Sequence, residues 1–132
     1  MKAQWQNQFN FLRSLTIGRV LNMSKVYASY HIAKKLKKPI QWGLPFAISI
    51  EPTTSCNLRC PECPSGLRSF TRPTGMLDKE VFERIIDDVH HHVNYLTFYF
   101  QGEPYLHPEF LNMVAYARSK KIYTATSTNA HF

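Results

Sequence analysis

The sequence predicts an α/β fold built on a parallel sheet. After residue 45, apolar runs of strand length alternate with amphipathic helical segments in the order β, loop, α, β, loop, α, β. Such alternation is typical of right-handed βαβ crossovers, which place parallel strands side by side with helices on the sheet. The chain has 132 residues and is 44% hydrophobic, which is enough for one packed domain and unlike a disordered polypeptide.

The amino-terminal third differs from the rest in charge. The first 50 residues carry eight Lys or Arg and no acid, whereas residues 51–132 carry eight Lys or Arg and nine acids. Apolar residues recur at helical spacing up to about residue 38, with an interruption at Gly18 and a stop at Pro39. We therefore predict two domains, a basic helical arm with its connector at 1–45 and an α/β body at 46–132.

Three segments of the body are predicted strands, and they fall at residues 46–51, 95–100 and 122–129. The first is apolar and β-branched, and the second is a continuous apolar run typical of a strand buried on both faces. Between the first strand and the following helix lies a loop of about 24 residues, at 52–75, which exceeds the usual loop length. Loops of that length are generally functional or disordered.

Two amphipathic helices complete the pattern. Asp78 is the predicted N-cap of the first, whose apolar face comprises Val81, Phe82, Ile85, Ile86 and Val89. The second begins at Pro108 or Glu109 and places Phe110, Met113, Val114 and Ala117 on its inner face.

All the cysteines of the chain lie in the long loop, as Cys56, Cys60 and Cys63. An odd number of neighbouring cysteines argues against a disulfide framework. The sequence has neither a secretory signal nor an apolar run of membrane-spanning length, so we expect a cytoplasmic protein in a reducing compartment. Three neighbouring thiols in that setting indicate a metal site.

Two metal sites fit these thiols. A structural zinc ion needs four protein ligands, so a histidine would complete the set, with His107 the best candidate and His90, His91 and His92 the next. A [4Fe–4S] cluster held by three cysteines would instead leave one iron open to an outside ligand.

Three motifs together resemble the radical S-adenosylmethionine (SAM) enzymes. The C-x3-C-x2-C spacing follows the first strand, Gly102-Glu103-Pro104 follows the second and is similar to the family's GEP motif, and "TSTNAHF" at 126–132 resembles the T-N-G segment that ends the third. The stretch "IEPTTSCNLRCPECPSG" is most similar to members that carry a carboxyl-terminal SPASM cluster domain and modify peptides. The resemblance covers about residues 46–132.

The resemblance implies a function and a set of binding residues. The three cysteines would hold a [4Fe–4S] cluster, SAM would chelate the fourth iron, and reductive cleavage of SAM would give a 5′-deoxyadenosyl radical for an oxidoreductase-type modification of an unidentified substrate. Glu103 would accept a hydrogen bond from the SAM ammonium, beside Gly102 and Pro104. The polar groups near the SAM carboxylate or ribose would be Ser127, Thr128 and Asn129. No residue is assigned a catalytic role, because the cofactors supply the reactivity.

The resemblance also implies a fold, the N-terminal (βα)3 portion of a partial (βα)6 barrel preceded by the basic helical arm. We therefore expect the chain to be the first part of a longer enzyme whose electron donor is a flavodoxin or ferredoxin. Three positions depart from the family pattern. Glu62 stands where an aromatic residue is usual, Gln101 replaces the first Gly of G-G-E-P, and Ala130 replaces the Gly of T-N-G.

Two alternatives remain at this point. The chain could be a non-catalytic truncated protein or metal-binding module that acts through partner contacts. For the basic arm, the favoured role is to cover the open side of the barrel or a partner. Contact with an anionic membrane surface is second, and nucleic-acid binding is third, because the aromatic residues are not arranged as stacking platforms.

Overall fold

The computed structural model describes the chain from Lys2 to His131. Met1 and Phe132, the outer ends of the two predicted domains, lie outside the described residues. The fold is mixed α/β, and the division into two domains stays a prediction. The helices are α1 (Lys2–Ser14), α2 (Ile17–Leu36), α3 (Pro64–Leu67), α4 (Lys79–Val89), a 3-10 helix (Pro104–Leu106) and α5 (Phe110–Ser119). None of the helices in this range is long and apolar enough to cross a bilayer.

The three predicted strands form one parallel sheet. They are β1 (Ala47–Ile50), β2 (Tyr95–Phe98) and β3 (Tyr123–Thr126), and β2 lies in the centre. Each strand has four residues and is shorter than its predicted segment. The register pairs Ile50 with Phe98 and Phe98 with Thr126, so the carboxyl ends of all three strands meet at one edge of the sheet.

The core lies between the sheet and the two amphipathic helices. Both α4 and α5 place their apolar faces against β2, and the fully buried residues are Phe82, Ile86, Val93, Leu96, Phe98, Phe110, Met113, Ala117 and Ile122. Asp78 caps α4 as predicted, because its carboxylate accepts a hydrogen bond of 3.1 Å from the backbone N–H of Val81. The periodicity of these helices therefore predicted most of the core, although two residues of the predicted faces, Val81 and Ile85, are only half-buried.

The second face of β2 is less buried than its apolar sequence predicted. Leu96 and Phe98 are fully buried, but Tyr95 and Thr97 on the other face are only partly covered. Phe11 of α1 packs edge-on against the rings of Tyr95 and Tyr123. This contact covers the second face only near the amino ends of the strands, whereas the helices α4 and α5 cover the first face.

The amino-terminal segment forms two helices, and the break lies a few residues before its predicted position. Thr16 caps α2 by accepting a hydrogen bond from the N–H of Arg19, so the chain turns at Leu15–Thr16. Gly18, the predicted interruption, lies in the first turn of α2. The helix ends at Leu36, three residues before the predicted stop at Pro39, and Lys37 adopts the left-handed conformation.

Arg19 joins these two helices to the α/β body. Its side chain is 2% exposed, and its guanidinium donates to the main-chain carbonyls of Ser14, His90, Lys120 and Lys121 at 2.5–3.0 Å. These carbonyls lie at the carboxyl ends of α1, α4 and α5, where the helix dipole favours a cation. Burial lowers the pKa of Arg19 from its usual value, but the carbonyls satisfy all of its donors.

We expect Arg19→Lys to destabilise the fold by about 2–4 kcal/mol, because an ammonium cannot reach three helix ends from one position and buried carbonyls lose their donors. The measurement is urea denaturation followed by far-UV circular dichroism. The matched control is Arg84→Lys on the exposed side of α4, which should change the free energy of unfolding by about 0.5 kcal/mol or less. Equal effects of the two substitutions would contradict this role for Arg19.

Candidate functional site

Three loops meet at the carboxyl edge of the sheet. The cysteine loop follows β1, the segment 99–103 follows β2, and the segment 127–131 follows β3. In parallel α/β sheets this edge is where ligands bind. The contacts between the loops therefore decide whether the predicted site residues form one site.

Gly102 brings the second loop against the first. Its φ is +75°, and a Cβ at this position would lie 2.1 Å from the carbonyl oxygen of Thr53. The next backbone N–H, of Glu103, donates to the carbonyl of Ser55 at 2.8 Å. Only glycine fits at position 102, because any side chain would collide with the backbone that leads to the cysteines.

Glu103 connects the second loop to the third. The residue is 2% exposed, and its Oε1 accepts hydrogen bonds from the Thr128 hydroxyl at 2.8 Å and the Tyr105 N–H at 3.2 Å. Its Oε2 accepts from the Asn129 N–H at 2.7 Å. A carboxylate has about four acceptor sites, and donors from residues 2–131 occupy three of them, which leaves one on Oε2. Glu103 therefore holds the third loop in place.

The remaining predicted binding residues divide into two groups. Pro104 is buried at the start of the 3-10 helix, where it fixes the turn that follows Glu103. Thr128 and Asn129 contact Glu103 as described. Ser127 is exposed, and its carbonyl accepts a hydrogen bond from the neighbouring Thr126 hydroxyl, at 3.4 Å. The structure thus brings all of these residues except Ser127 into one hydrogen-bonded arrangement.

Asn129 also reaches the cysteine loop. Its side-chain amide donates to the Asn57 side chain at 2.8 Å and lies 3.7 Å from the Cys56 sulfur. Asn57 in turn donates to the carbonyl of His131. Asn57 was not predicted as a site residue, because the one indication in the sequence was its position next to Cys56. Ala130, which replaces the expected Gly, has a φ of +56°, so the backbone keeps a conformation that favours glycine.

The cysteines lie in an open loop. Cys60 is exposed, and Cys56 and Cys63 are half-buried. Within the part of the chain that the structure describes, no three His, Cys, Asp or Glu side chains are grouped closely enough to hold a metal ion. The backbone N–H groups of Gly66 and Ser65 nevertheless donate toward the Cys63 thiol and hold its pKa below the usual value. These donors favour the thiolate, which is the form that binds metals.

Gln101 and Ser65 form a further link that the sequence analysis missed. The Ser65 hydroxyl donates to the Gln101 side-chain oxygen at 3.0 Å and accepts from the Gly102 N–H at 3.0 Å. The same Gln101 oxygen lies 3.7 Å from the Cys63 sulfur. The signal in the sequence was the replacement of a family glycine by Gln101, whose side chain connects the second loop to the last cysteine.

The histidines proposed as zinc ligands have other roles. His107 is buried, its Nε2 donates to the Leu77 carbonyl at 2.8 Å, and its Nδ1 accepts from the Glu109 N–H at 3.1 Å. Both ring nitrogens are therefore used. The run His90–His92 follows α4 and precedes the amino end of β2, whereas the cysteines follow the carboxyl end of β1. The geometry therefore gives no support to His107 or to His90–His92 as the fourth ligand.

Comparisons with known proteins place this fold among solved structures. No family model matches the sequence. Over 82 residues the chain is 33% identical to the tungsten-containing aldehyde ferredoxin oxidoreductase cofactor-modifying protein of Pyrococcus furiosus. The match covers 61% of this chain and 22% of that protein. The chain thus spans about a fifth of the length of this curated relative.

Two solved structures of BtrN have a similar fold. BtrN in complex with AdoMet and 2-DOIA matches with a TM-score of 0.61 and 24% identity, over 67% of this chain and 37% of that one. Selenomethionine BtrN in an open conformation matches with a TM-score of 0.57 and 22% identity, over 67% of this chain and 41% of that one. These likenesses show that the chain shares its mixed α/β fold with the matching part of BtrN.

The close approach at Gly102 gives a testable prediction. Gly102→Ala should destabilise the protein by about 2 kcal/mol or more, because the new Cβ meets the Thr53 carbonyl and alanine is strained at positive φ. The matched control is Gly75→Ala, where a Cβ would have no neighbour within 4 Å. Thermal denaturation of both variants measures the difference, and an equal melting temperature would refute the close approach.

Glu103→Gln should loosen the third loop. The amide that replaces one carboxylate oxygen is a donor and faces the N–H and hydroxyl donors of Asn129 and Thr128. We expect the Asn129 amide to exchange with solvent at least about tenfold faster, as measured by NMR hydrogen exchange, while amides of the central strand keep their rates. Glu62→Gln, on the exposed part of the cysteine loop, is the control. Unchanged exchange at Asn129 would disprove the bridging role.

Proposed function

We propose that this chain binds a [4Fe–4S] cluster through Cys56, Cys60 and Cys63 and binds SAM beside it. The proposed activity is reductive cleavage of SAM to a 5′-deoxyadenosyl radical. The observation that carries the proposal is the convergence at one sheet edge of the cysteine loop, the Gly102–Pro104 loop and Thr128–Asn129. These are the three motifs in which the sequence resembles the radical SAM enzymes.

The comparisons support a relationship of the radical SAM type. BtrN shares the fold and was crystallised with AdoMet, which is SAM. The Pyrococcus relative is described as modifying a cofactor of an oxidoreductase and is 33% identical over the matched residues. The AdoMet bound to BtrN is the cofactor that the motifs of this chain indicate.

The chemistry of the loop fits an iron–sulfur cluster. The thiol of Cys63 has a lowered pKa, and Cys56 lies within 3.7 Å of the Asn129 amide, a group that can donate to sulfur. Gly66 packs against the backbone of Cys60, where a Cβ would lie 2.4 Å from the carbonyl oxygen, so the turn from Cys60 to Cys63 is tight. Because metal binding is coupled to folding, the exposed loop that carries the thiols would close around the cluster as it binds.

The residues of the chain then take defined roles. The cluster, when bound, supplies the electron that cleaves SAM. The three thiolates would hold three irons and leave the fourth open. The vacant acceptor site on Glu103 Oε2 would bind the SAM ammonium, and Gly102 would let the ligand approach the backbone. Asn129 would orient the third loop toward the ligand.

The barrel, the electron donor and the substrate concern a longer protein, because the chain matches only part of its relatives. We propose that the sheet is the (βα)3 portion of a partial (βα)6 barrel and that the electron comes from a flavodoxin or ferredoxin. The substrate class that the cysteine stretch favours is a peptide. Kinship with the SPASM-domain members and a cytoplasmic location stay predictions.

A second candidate function is a non-catalytic module that binds a metal or a partner. The observation that favours it is the partial match, because the chain covers 22% of the Pyrococcus relative and 37% of BtrN. Such a module would bind metal at the cysteine loop, and the spectrum of that metal would not change when SAM is added.

The deciding experiment is anaerobic reconstitution of the chain with iron and sulfide, followed by metal analysis and EPR of the reduced form with and without SAM. We expect about four irons per chain and a spectrum that SAM changes, because one iron is open. Cys60→Ala should lose the cluster, whereas Ser69→Ala, an exposed position of the same loop, should keep it.

Each other outcome has a definite meaning. Zinc retained without iron would refute the cluster. A cluster whose spectrum ignores SAM would favour the non-catalytic module. Formation of 5′-deoxyadenosine, measured by chromatography with dithionite as reductant, would separate cleavage of SAM from binding alone.

A further inference from the structure

A second surface of the molecule takes no part in the proposed function. On α1, Trp5, Phe9 and Leu12 recur at the spacing of one helix face, and their side chains are 71%, 59% and 61% exposed. Ile17, at the start of α2, is 83% exposed. The opposite side of α1 packs on the sheet through Phe11. Among the side chains that the structure describes, the stripe of Trp5, Phe9 and Leu12 is therefore an exposed apolar face on a helix that the body holds in place.

A basic cavity adjoins this stripe. The guanidinium of Arg13 lies 5.7 Å from the centre of the Phe9 ring and also lines a cavity of about 580 Å³ between α1, the end of α5 and β3. Arg118 and Lys121 line the same cavity, and no acidic side chain does. Within residues 2–131, none of these three cations forms an ion pair with a carboxylate.

We propose that this surface docks on a bilayer that contains anionic phospholipids. The apolar stripe would lie at the boundary between headgroups and acyl chains, and the cavity cations Arg13, Arg118 and Lys121 would bind headgroup phosphates. Trp, Phe and Leu on one face with cations beside them are the composition of helices that lie in the plane of an interface.

Charge identifies the partner as anionic. The first 50 residues contain eight cations and no acid, so nothing in the helical segment repels a negative surface. An arginine offers a planar fork of donors that suits phosphate oxygens, and two of the three cavity cations are arginines. Each cation near an anionic surface contributes binding energy that salt weakens.

The test uses Trp5 as the probe. Trp42→Phe leaves Trp5 as the one tryptophan, since the chain has two. We expect its fluorescence to shift to the blue and to be quenched by brominated acyl chains when vesicles of equal parts phosphatidylcholine and phosphatidylglycerol are added. Vesicles of phosphatidylcholine alone should give little response, and high salt should reduce binding to the anionic vesicles.

Two pairs of variants separate the apolar and the charged parts of the surface. Phe9→Ser with Leu12→Ser should lower the vesicle partition constant at least about tenfold, whereas Leu111→Ser, equally exposed on α5, should leave it nearly unchanged. Arg118→Gln with Lys121→Gln should lower it about tenfold or more. The charge-matched control is Lys79→Gln with Arg84→Gln on α4. Circular dichroism establishes that each variant is folded.

Three results would overturn the proposal. The first is absence of binding to anionic vesicles by the folded chain. The second is an equal loss in the α4 control, which would mean a general effect of net charge. The third is a dimer in sedimentation velocity in which Trp5 is protected from acrylamide without lipid, because a second copy would then cover the stripe. None of these results bears on the iron–sulfur reconstitution, which tests a different part of the chain.

Discussion

The candidate site depends on the hydrogen bonds that the carboxylate of Glu103 accepts. It is buried, and the donors that compensate its charge come from its own loop and from the loop after β3. The backbone of the same residue is bound to the loop that carries the cysteines. Because a buried charge is costly when its partners are lost, the three loops must keep their relative positions together. The Glu103 carboxylate thus fixes the loop after β3 beside the loop that carries the cysteines.

Much of this arrangement could be predicted from the sequence, and the reason is geometric. The alternation of apolar runs and amphipathic segments fixes a parallel sheet, and a parallel sheet brings the ends of all strands to one edge. Residues that follow different strands, such as Cys63, Gly102 and Asn129, are thereby neighbours in space although they are far apart in the chain. The capping of α4 by Asp78 was likewise predictable, because capping depends on residues within one turn.

The features that sequence could not predict depend on contacts between distant side chains. Arg19 looks like one cation among eight in a basic segment, and nothing local indicates that three helix ends meet around it. Gln101 and Asn57 look like ordinary loop residues until the folded chain places them beside Cys63 and Asn129. The partial burial of the second face of β2 could not be predicted either. The length of strand that α1 covers is set by packing and not by the composition of the strand.

The positions of the two surfaces on the sheet make the two proposals compatible. The basic cavity is lined by Ile122 and Tyr123 at the amino end of β3, whereas the candidate site begins after Thr126 at the carboxyl end of the same strand. Thr124 also lines the cavity, and a strand rises about 3.3 Å per residue, so roughly 7 Å of strand separates this residue from Thr126. The two surfaces therefore consist of different residues. Substitution of Arg118 and Lys121 leaves the residues of the candidate site unchanged, and Cys60→Ala leaves the cavity unchanged, so that either proposal can fail while the other stands.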